Sequence, residues 1–147
     1  MYVTTTKRLT YEGARKMIAF AVDQARAANI AISCCVVDAG GQVIALDRMD
    51  GGPFHTIHSC STKAICASST KRKTSARGAV NQELDVTHAL GLTLAAGADR
   101  WTAMEGGVPI IVDGECVGGI GVSGGNWETD ERIAQLAVEA IGAKHSR

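Results

Sequence analysis

The stretch GGVPIIVDGECVGGIGVSGG, residues 106–125, decides the fold because it holds two apolar runs joined by Asp113-Gly114. An Asp-Gly pair between such runs is the strongest short-range signal for a two-residue β-hairpin, since both turn positions need a positive φ. We therefore predict adjacent strands over Val108–Val112 and Glu115–Val122.

Further segments upstream have the composition of strands. Ile30–Val37 is rich in β-branched residues, and the turn Asp38-Ala39-Gly40-Gly41 joins it to Gln42–Arg48, which predicts a second hairpin. Arg100–Met104 is predicted as a fifth strand. Strands joined this tightly pair antiparallel, so the sequence predicts a five-stranded antiparallel sheet.

Helical periodicity appears on both sides of these strands. Apolar residues recur every three or four positions from Thr10 to Asn29 and again from about Trp127 to Ala143, which predicts amphipathic helices. Another helix is predicted from Pro53 to about Thr70. Ser75–Leu84 is predicted as a short helix, and Val86–Ala98 as irregular and partly helical. The fold class is α/β (more narrowly α+β), with helices packed on the sheet.

Composition fits one domain over residues 1–147 and narrows the class of partner. Lys and Arg together number 15, and Asp and Glu together also number 15. The chain therefore lacks the excess of positive charge that is typical of nucleic-acid-binding proteins. No apolar run matches a signal peptide or a membrane span, and we expect a cytoplasmic protein without membrane contact. The five cysteines fit no CxxC spacing and are expected to be buried thiols.

Two glycine-rich loops are candidate ligand sites. Gly106 and Gly107 precede a predicted strand, while Ser123 and Gly124 precede a predicted helix whose N-terminus favours anions. A carboxylate or phosphate could bind there. The alternative is that these glycines serve only to make turns.

His55 and His58 lie three residues apart near the start of a predicted helix, so they project from one face. Such a pair could bind a metal ion, or one of them could be an axial haem ligand, with His55 favoured. Exposed or capping histidines are the alternative, because no carboxylate or cysteine stands at ligand spacing.

Charged and aromatic candidates lie near the same loops. Arg48 and Lys63 are placed to hold an acid group, although Arg48 could instead form a structural ion pair with a neighbouring aspartate. Glu105 could act as a general base or remain an exposed loop residue. Trp127 could stack on a flat ligand or pack into the core.

Several motifs, taken in their order along the chain, resemble those of a known protein family. VVDAGGQVIALDRMDG (residues 36–51), Lys63-Ala64, residues 106–125 and Asp130 together resemble the GlcG/HbpS-like family, also seen as the C-terminal domain of PduO-type proteins. The resemblance implies a profilin-like arrangement with helices on both faces of the sheet, homo-oligomers, and in some members haem binding. Glu105 stands where relatives often have a proline.

Two functions remain open at this point. The first is a homo-oligomeric protein that binds haem or another small molecule through the glycine-rich loops, Lys63 and His55. The alternative is an enzyme of organic-acid or aromatic-ring catabolism, of tautomerase, hydratase or hydrolase type. In that enzyme Arg48 or Lys63 would hold a carboxylate, and His55 or Glu105 would move a proton.

Overall fold

A computed structural model describes all 147 residues and contains four helices and four strands. In chain order these are α1 (Tyr11–Ala27), β1 (Ser33–Asp38), β2 (Val43–Arg48), α2 (His55–Thr70), α3 (Val86–Ala96), β3 (Gly107–Val112), β4 (Glu115–Ser123) and α4 (Trp127–Glu139).

The strands form one open antiparallel sheet with the order β2-β1-β4-β3. Both predicted hairpins are confirmed, since β1 pairs with β2 and β3 pairs with β4. Asp113 and Gly114 have φ values of 49° and 79°, as the tight turn between β3 and β4 requires. The inner strands β1 and β4 pair with each other from Ser33↔Ser123 to Asp38↔Gly118.

Helices cover both faces of the sheet. On one face, α1 and α4 pack against each other and against the sheet, and their apolar stripes join inward side chains such as Cys34 and Val36 in the main core. The opposite face carries α2, where Cys60 and Ala64 pack against Cys35. This alternation along β1 follows from the two-residue period of a strand.

Local sequence signals fix the ends of the helices. Thr10 caps α1 by accepting a hydrogen bond from the amide of Gly13, and Asn126 caps α4 in the same way through Thr129. The predicted C-terminal helix is four residues too long, because α4 ends at Glu139 and Gly142 has a φ of 78°. None of the helices is both long enough and apolar enough to cross a membrane.

The prediction of a fifth strand at Arg100–Met104 is wrong. The segment pairs with no strand, and the outer strand β3 is instead bridged by the C-terminal tail through Ile111 and Lys144. Trp101 is half-buried beside α2, where the Cys66 thiol lies against the carbonyl of Thr102. Contacts with α2 explain why this segment contains apolar residues. In a sequence, a short apolar run looks the same whether it packs on a helix or pairs in a sheet.

The region between α2 and β3 also differs from the prediction. Ser75–Leu84 is not a helix, because Arg77 and Glu83 form an isolated bridge around a turn. Val86–Ala98 is predicted as irregular and partly helical, and the structure has a regular helix, α3, over Val86–Ala96. Asp85 caps this helix by accepting a hydrogen bond from the amide of His88 at 2.8 Å.

Candidate functional site

A cleft of about 420 Å³ opens between the first half of α2 and the turn from β4 into α4. We call it the Lys63 cleft. Its wall combines residues of α2, the loop before β3 and the first turn of α4. It is lined by Pro53, His55, Thr56, Ser59, Lys63, Met104, Glu105, Ser123, Gly124, Gly125, Trp127 and Asp130.

The floor of the cleft is a buried ion pair. Lys63 Nζ lies 3.6 Å from Asp130 Oδ2, and both side chains are 4% exposed. Lys63 Nζ also donates to the carbonyl of Val122 at 2.9 Å, while Asp130 Oδ1 accepts from the amide of Gly125 at 2.8 Å. Each buried charge therefore has a partner, as a stable buried ion requires.

Burial and charge act in opposite directions on this pair. Burial lowers the pKa of the Lys63 ammonium, whereas the nearby carboxylates of Asp130 and Glu105 oppose that change. Burial also raises the pKa of Asp130, against the hydrogen bond from Gly125 and the charge of Lys63. Burial has the larger effect on both groups. The Lys63 ammonium therefore loses its proton, and the Asp130 carboxylate gains one, more readily than the same side chain exposed to water.

Gly106 and Gly107 lie behind the cleft wall and give the backbone room beside Lys63. A Cβ on Gly106 would stand 2.9 Å from Lys63 Nζ and 2.6 Å from the carbonyl of Val122, and its φ is 118°. A Cβ on Gly107 would stand 2.4 Å from the carbonyl of Lys63. Both glycines are buried and neither lines the cleft, so their observed role is close packing against α2.

Hydroxyl groups connect the two sides of the cleft. Ser59 Oγ of α2 lies 2.7 Å from Ser123 Oγ at the end of β4. Gly124 follows with a φ of 139°, and a Cβ there would stand 2.4 Å from the carbonyl of Ala31. The Ser123-Gly124 turn is therefore held between α2 and the start of β1, and it presents a fixed backbone to the cleft.

The rim carries an imidazole and two large apolar side chains. His55 is exposed at the first turn of α2, with the ring of Phe54 edge-on at 6.1 Å between centroids. Met104 and Trp127 lie at the opening and are mostly exposed. His58 is exposed one turn further along α2 and does not line the cleft. No third His, Cys, Asp or Glu joins the two histidines in a metal-binding group.

Arg48 lies apart from the Lys63 cleft. It borders a second cleft of about 520 Å³ between α1 and β2, together with Arg26 and Asp50. Its Nη1 donates to the carbonyl of Gly52 at 2.9 Å, whereas the neighbouring Asp47 pairs with Arg15. The structure thus brings Lys63, His55 and Glu105 together and separates Arg48 from them.

Asp130 is the site residue that we did not single out as functional from the sequence. Its signal is its position on α4, because it shares the buried face with Ile133, Ala134 and Ala137 at helical spacing. An acidic residue within an apolar stripe needs a buried partner. The same reasoning applies to Lys63, which lies on the stripe of α2 that also holds Cys60 and Ala67.

The arrangement is suited to a flat small molecule. A cleft of this volume falls within the range of small-molecule sites. The Lys63 ammonium on the floor is buried and already paired with Asp130, so an acid group of a ligand could reach it only by displacing that carboxylate. Trp127 offers an aromatic face at the opening. The imidazole of His55 adds a group that can coordinate a metal centre or transfer a proton.

Comparison with known proteins gives a consistent set of similarities. The family described as haem-degrading protein HbpS-like matches residues 9–139. Protein GlcG of Escherichia coli is 35% identical over 118 residues, which cover 78% of this chain and 81% of GlcG.

Solved structures share the same fold. Klebsiella pneumoniae protein ORFY superposes with a TM-score of 0.84 at 30% identity, covering 97% of each chain. A crystal structure of a PduOC–haem complex also has a TM-score of 0.84, at 26% identity, covering 96% of this chain and all of the other. That protein was solved with haem bound.

Proposed function

Because this chain belongs to the HbpS-like family, we propose that it binds haem or a closely related tetrapyrrole in the Lys63 cleft. The similarity to the PduOC–haem complex supports this ligand class. The observation that carries the proposal is the buried Lys63–Asp130 pair beneath an opening edged by His55 and Trp127.

The residues present fit the chemistry of haem. Its macrocycle is flat and largely apolar, and Trp127 can pack on it. Its two propionates would lie toward the opening, because Lys63 is already paired with Asp130 on the floor. Histidine is a common axial ligand of haem iron, and His55 is the imidazole that lines this cleft. Bound haem would supply an iron centre whose reactivity depends on its axial ligand and on the polarity around it.

Titration of the purified protein with hemin tests the proposal. We expect a saturable shift of the Soret band at one hemin per chain, and a weaker, altered shift in His55→Ala. His58→Ala is the matched control, because His58 lies one turn along the same helix, is also exposed and stands outside the cleft. No saturable shift in the wild type, or an equal loss in both variants, would contradict the proposal.

A second candidate function rests on Lys63 itself. Its lowered pKa, together with Glu105 and His55 in the same cleft, favours an enzyme acting on a small organic acid. In this proposal Lys63 holds the substrate carboxylate, and His55 or Glu105 moves a proton. Arg48 takes no part because it borders another cleft.

A screen of unsaturated mono- and dicarboxylates distinguishes the two functions. Isomerisation or hydration by the wild type that falls in Glu105→Gln, with no Soret shift on adding hemin, would favour the enzyme. A Soret shift without turnover of any acid would favour the binding protein.

A further inference from the structure

Lys63 Nζ has one hydrogen-bonding direction that no atom of the chain uses. One of its three N–H groups donates to the carbonyl of Val122 at 2.9 Å, and a second faces Asp130 Oδ2 at 3.6 Å. The residue also lines the Lys63 cleft. A neutral amine can rotate about its Cε–Nζ bond so that its two hydrogens meet these oxygens. Its lone pair then takes the third direction, where a molecule in the cleft can approach it.

The surroundings of Lys63 favour the neutral amine, which is the nucleophilic form. Burial lowers the pKa of its ammonium, and burial also raises the pKa of the Asp130 carboxyl. A proton therefore passes from Lys63 to Asp130 at a lower cost than between the same groups in water. Groups that exchange a proton often stand slightly beyond hydrogen-bond distance in a site without ligand, as these two do at 3.6 Å.

We propose that Lys63 forms an imine with a small aldehyde or ketone bound in the Lys63 cleft. Buried lysines whose amine is neutral are the residues that proteins use for this chemistry. The reaction goes beyond the haem site proposed above, because it needs no haem. It also differs from the organic-acid enzyme, because Lys63 bonds to a carbonyl carbon and does not hold a carboxylate.

The pair on the floor supplies every proton that the reaction needs. Asp130 takes one proton from the ammonium, and Lys63 Nζ then bonds to the carbonyl carbon while the electrons of the C=O bond move to oxygen. That oxygen takes the proton from Asp130. A second transfer through Asp130, from nitrogen to the same oxygen, lets water leave as the C=N bond forms. The products are water, a protonated imine and the Asp130 carboxylate, so the buried charges are the same before and after.

The polar groups of the cleft favour a carbonyl compound without an acid group. Because Lys63 and Asp130 neutralise each other, the carboxylate of Glu105 leaves the wall negative and repels a second carboxylate. Ser59 lies one turn before Lys63 on α2, with its Oγ 2.7 Å from Ser123 Oγ. These hydroxyls can donate to the oxygen of an uncharged ligand. Since Lys63 is only 4% exposed, the ligand must be small.

Reductive trapping of the apoprotein with acetaldehyde and cyanoborohydride tests this inference. Cyanoborohydride converts the imine to a stable ethylamine, and peptide mapping by mass spectrometry locates it. A lysine in water has a pKa of about 10.4, so few such amines are neutral at about pH 7. With one equivalent of aldehyde at that pH, we expect about tenfold more label on Lys63 than on Lys16, which is exposed on α1.

Two comparisons make the test specific to the folded cleft. In guanidinium chloride, Lys63 and Lys16 should be labelled alike, because burial no longer distinguishes them. Pyruvate, which carries a carboxylate, should label Lys63 less than acetaldehyde does. Glu105→Gln should reduce that difference, because it removes the negative charge from the cleft wall.

The hemin titration is scored separately, so the two proposals fail in different ways. A protein that shows the Soret shift but labels Lys63 no more than Lys16 would overturn the imine and leave haem binding in place. Labelling of Lys63 that is as strong in guanidinium chloride as in the folded protein would also overturn it. Stronger labelling by pyruvate than by acetaldehyde would overturn the assignment of an uncharged ligand.

Discussion

At the scale of single residues, Lys63 and Asp130 are the buried charged side chains of the Lys63 cleft. Each occupies a position on an apolar helix stripe where an uncharged residue would pack, and each neutralises the other. Removing one partner of a buried pair leaves an uncompensated charge, whereas removing both can be tolerated. The pair therefore couples α2 to α4 through the floor of the cleft.

Replacing Lys63 tests this coupling. We expect Lys63→Met to lower the free energy of unfolding by about 3–5 kcal/mol, because the Asp130 carboxylate stays buried without its cation. The double variant Lys63→Met/Asp130→Asn should recover much of that loss. Urea unfolding at neutral pH measures both, and a single variant as stable as the wild type would contradict the role assigned to the pair.

Buried thiols make stability depend on alkaline pH. Burial raises the pKa of Cys60 from 9.0 to about 12 and that of Cys35 to about 11. Above pH 9 the unfolded chain loses thiol protons that the folded chain keeps. Their contribution is thus complete below that pH and falls through the window up to about pH 12, by up to about 1.4 kcal/mol per pH unit for each thiol.

Unfolding in urea under reducing conditions at about pH 8 and about pH 10.5 checks this dependence. Stability of Cys60→Ala should fall less between the two values than that of the wild type. Cys116→Ala, which removes a half-exposed thiol, is the matched control for the loss of a cysteine. If the stability of the wild type and that of Cys60→Ala depend on pH equally, the Cys60 thiol ionises alike in the folded and unfolded chains, and the prediction is wrong.

At the scale of elements, the approach of α2 to β4 depends on glycines in the strand. A Cβ on Gly119 would stand 2.3 Å from the carbonyl of Ala64, and one on Gly121 would stand 2.0 Å from the carbonyl of Cys60. The helix backbone therefore rests directly on the strand backbone. This contact sets the depth at which Lys63 enters the cleft floor.

Gly121→Ala should push α2 away from the sheet and lower the free energy of unfolding by about 3 kcal/mol, because the clash involves backbone atoms that cannot rotate away. Gly91→Ala in α3 is the control, since a Cβ there meets nothing within 4 Å and alanine favours a helix. Thermal unfolding compares the two. A Gly121→Ala protein as stable as Gly91→Ala would show that α2 can move without cost.

Elements were predictable from sequence where their signals are local. Asp113-Gly114 and the cap Thr10 identified a hairpin and a helix start because each acts through its own neighbours. Arg100–Met104 was misassigned because contact with α2, remote in sequence, sets its conformation. The regularity of α3 was missed because its apolar residues surround the helix and give no clear period.

The same distinction applies to the site. The sequence predicts one pocket that contains Lys63, the two glycine-rich loops and the nearby His55. The fold places Lys63, His55 and the Ser123-Gly124 turn around one cleft, together with Glu105 and Trp127, whereas Gly106 and Gly107 lie behind its wall. The sequence does not show that Arg48 lies away from this cleft. Whether two loops meet depends on the order of the strands in the sheet, which the sequence alone does not fix. Asp130 became visible as part of the site only once Lys63 was placed opposite it.

At the scale of the whole molecule, the Lys63 cleft and α3 are separate features with different needs. The cleft is built from α2, β4 and α4, which pack on the sheet, whereas α3 touches none of these elements. Local unfolding of α3 should therefore leave the packing of α2, β4 and α4 around the Lys63 cleft unchanged.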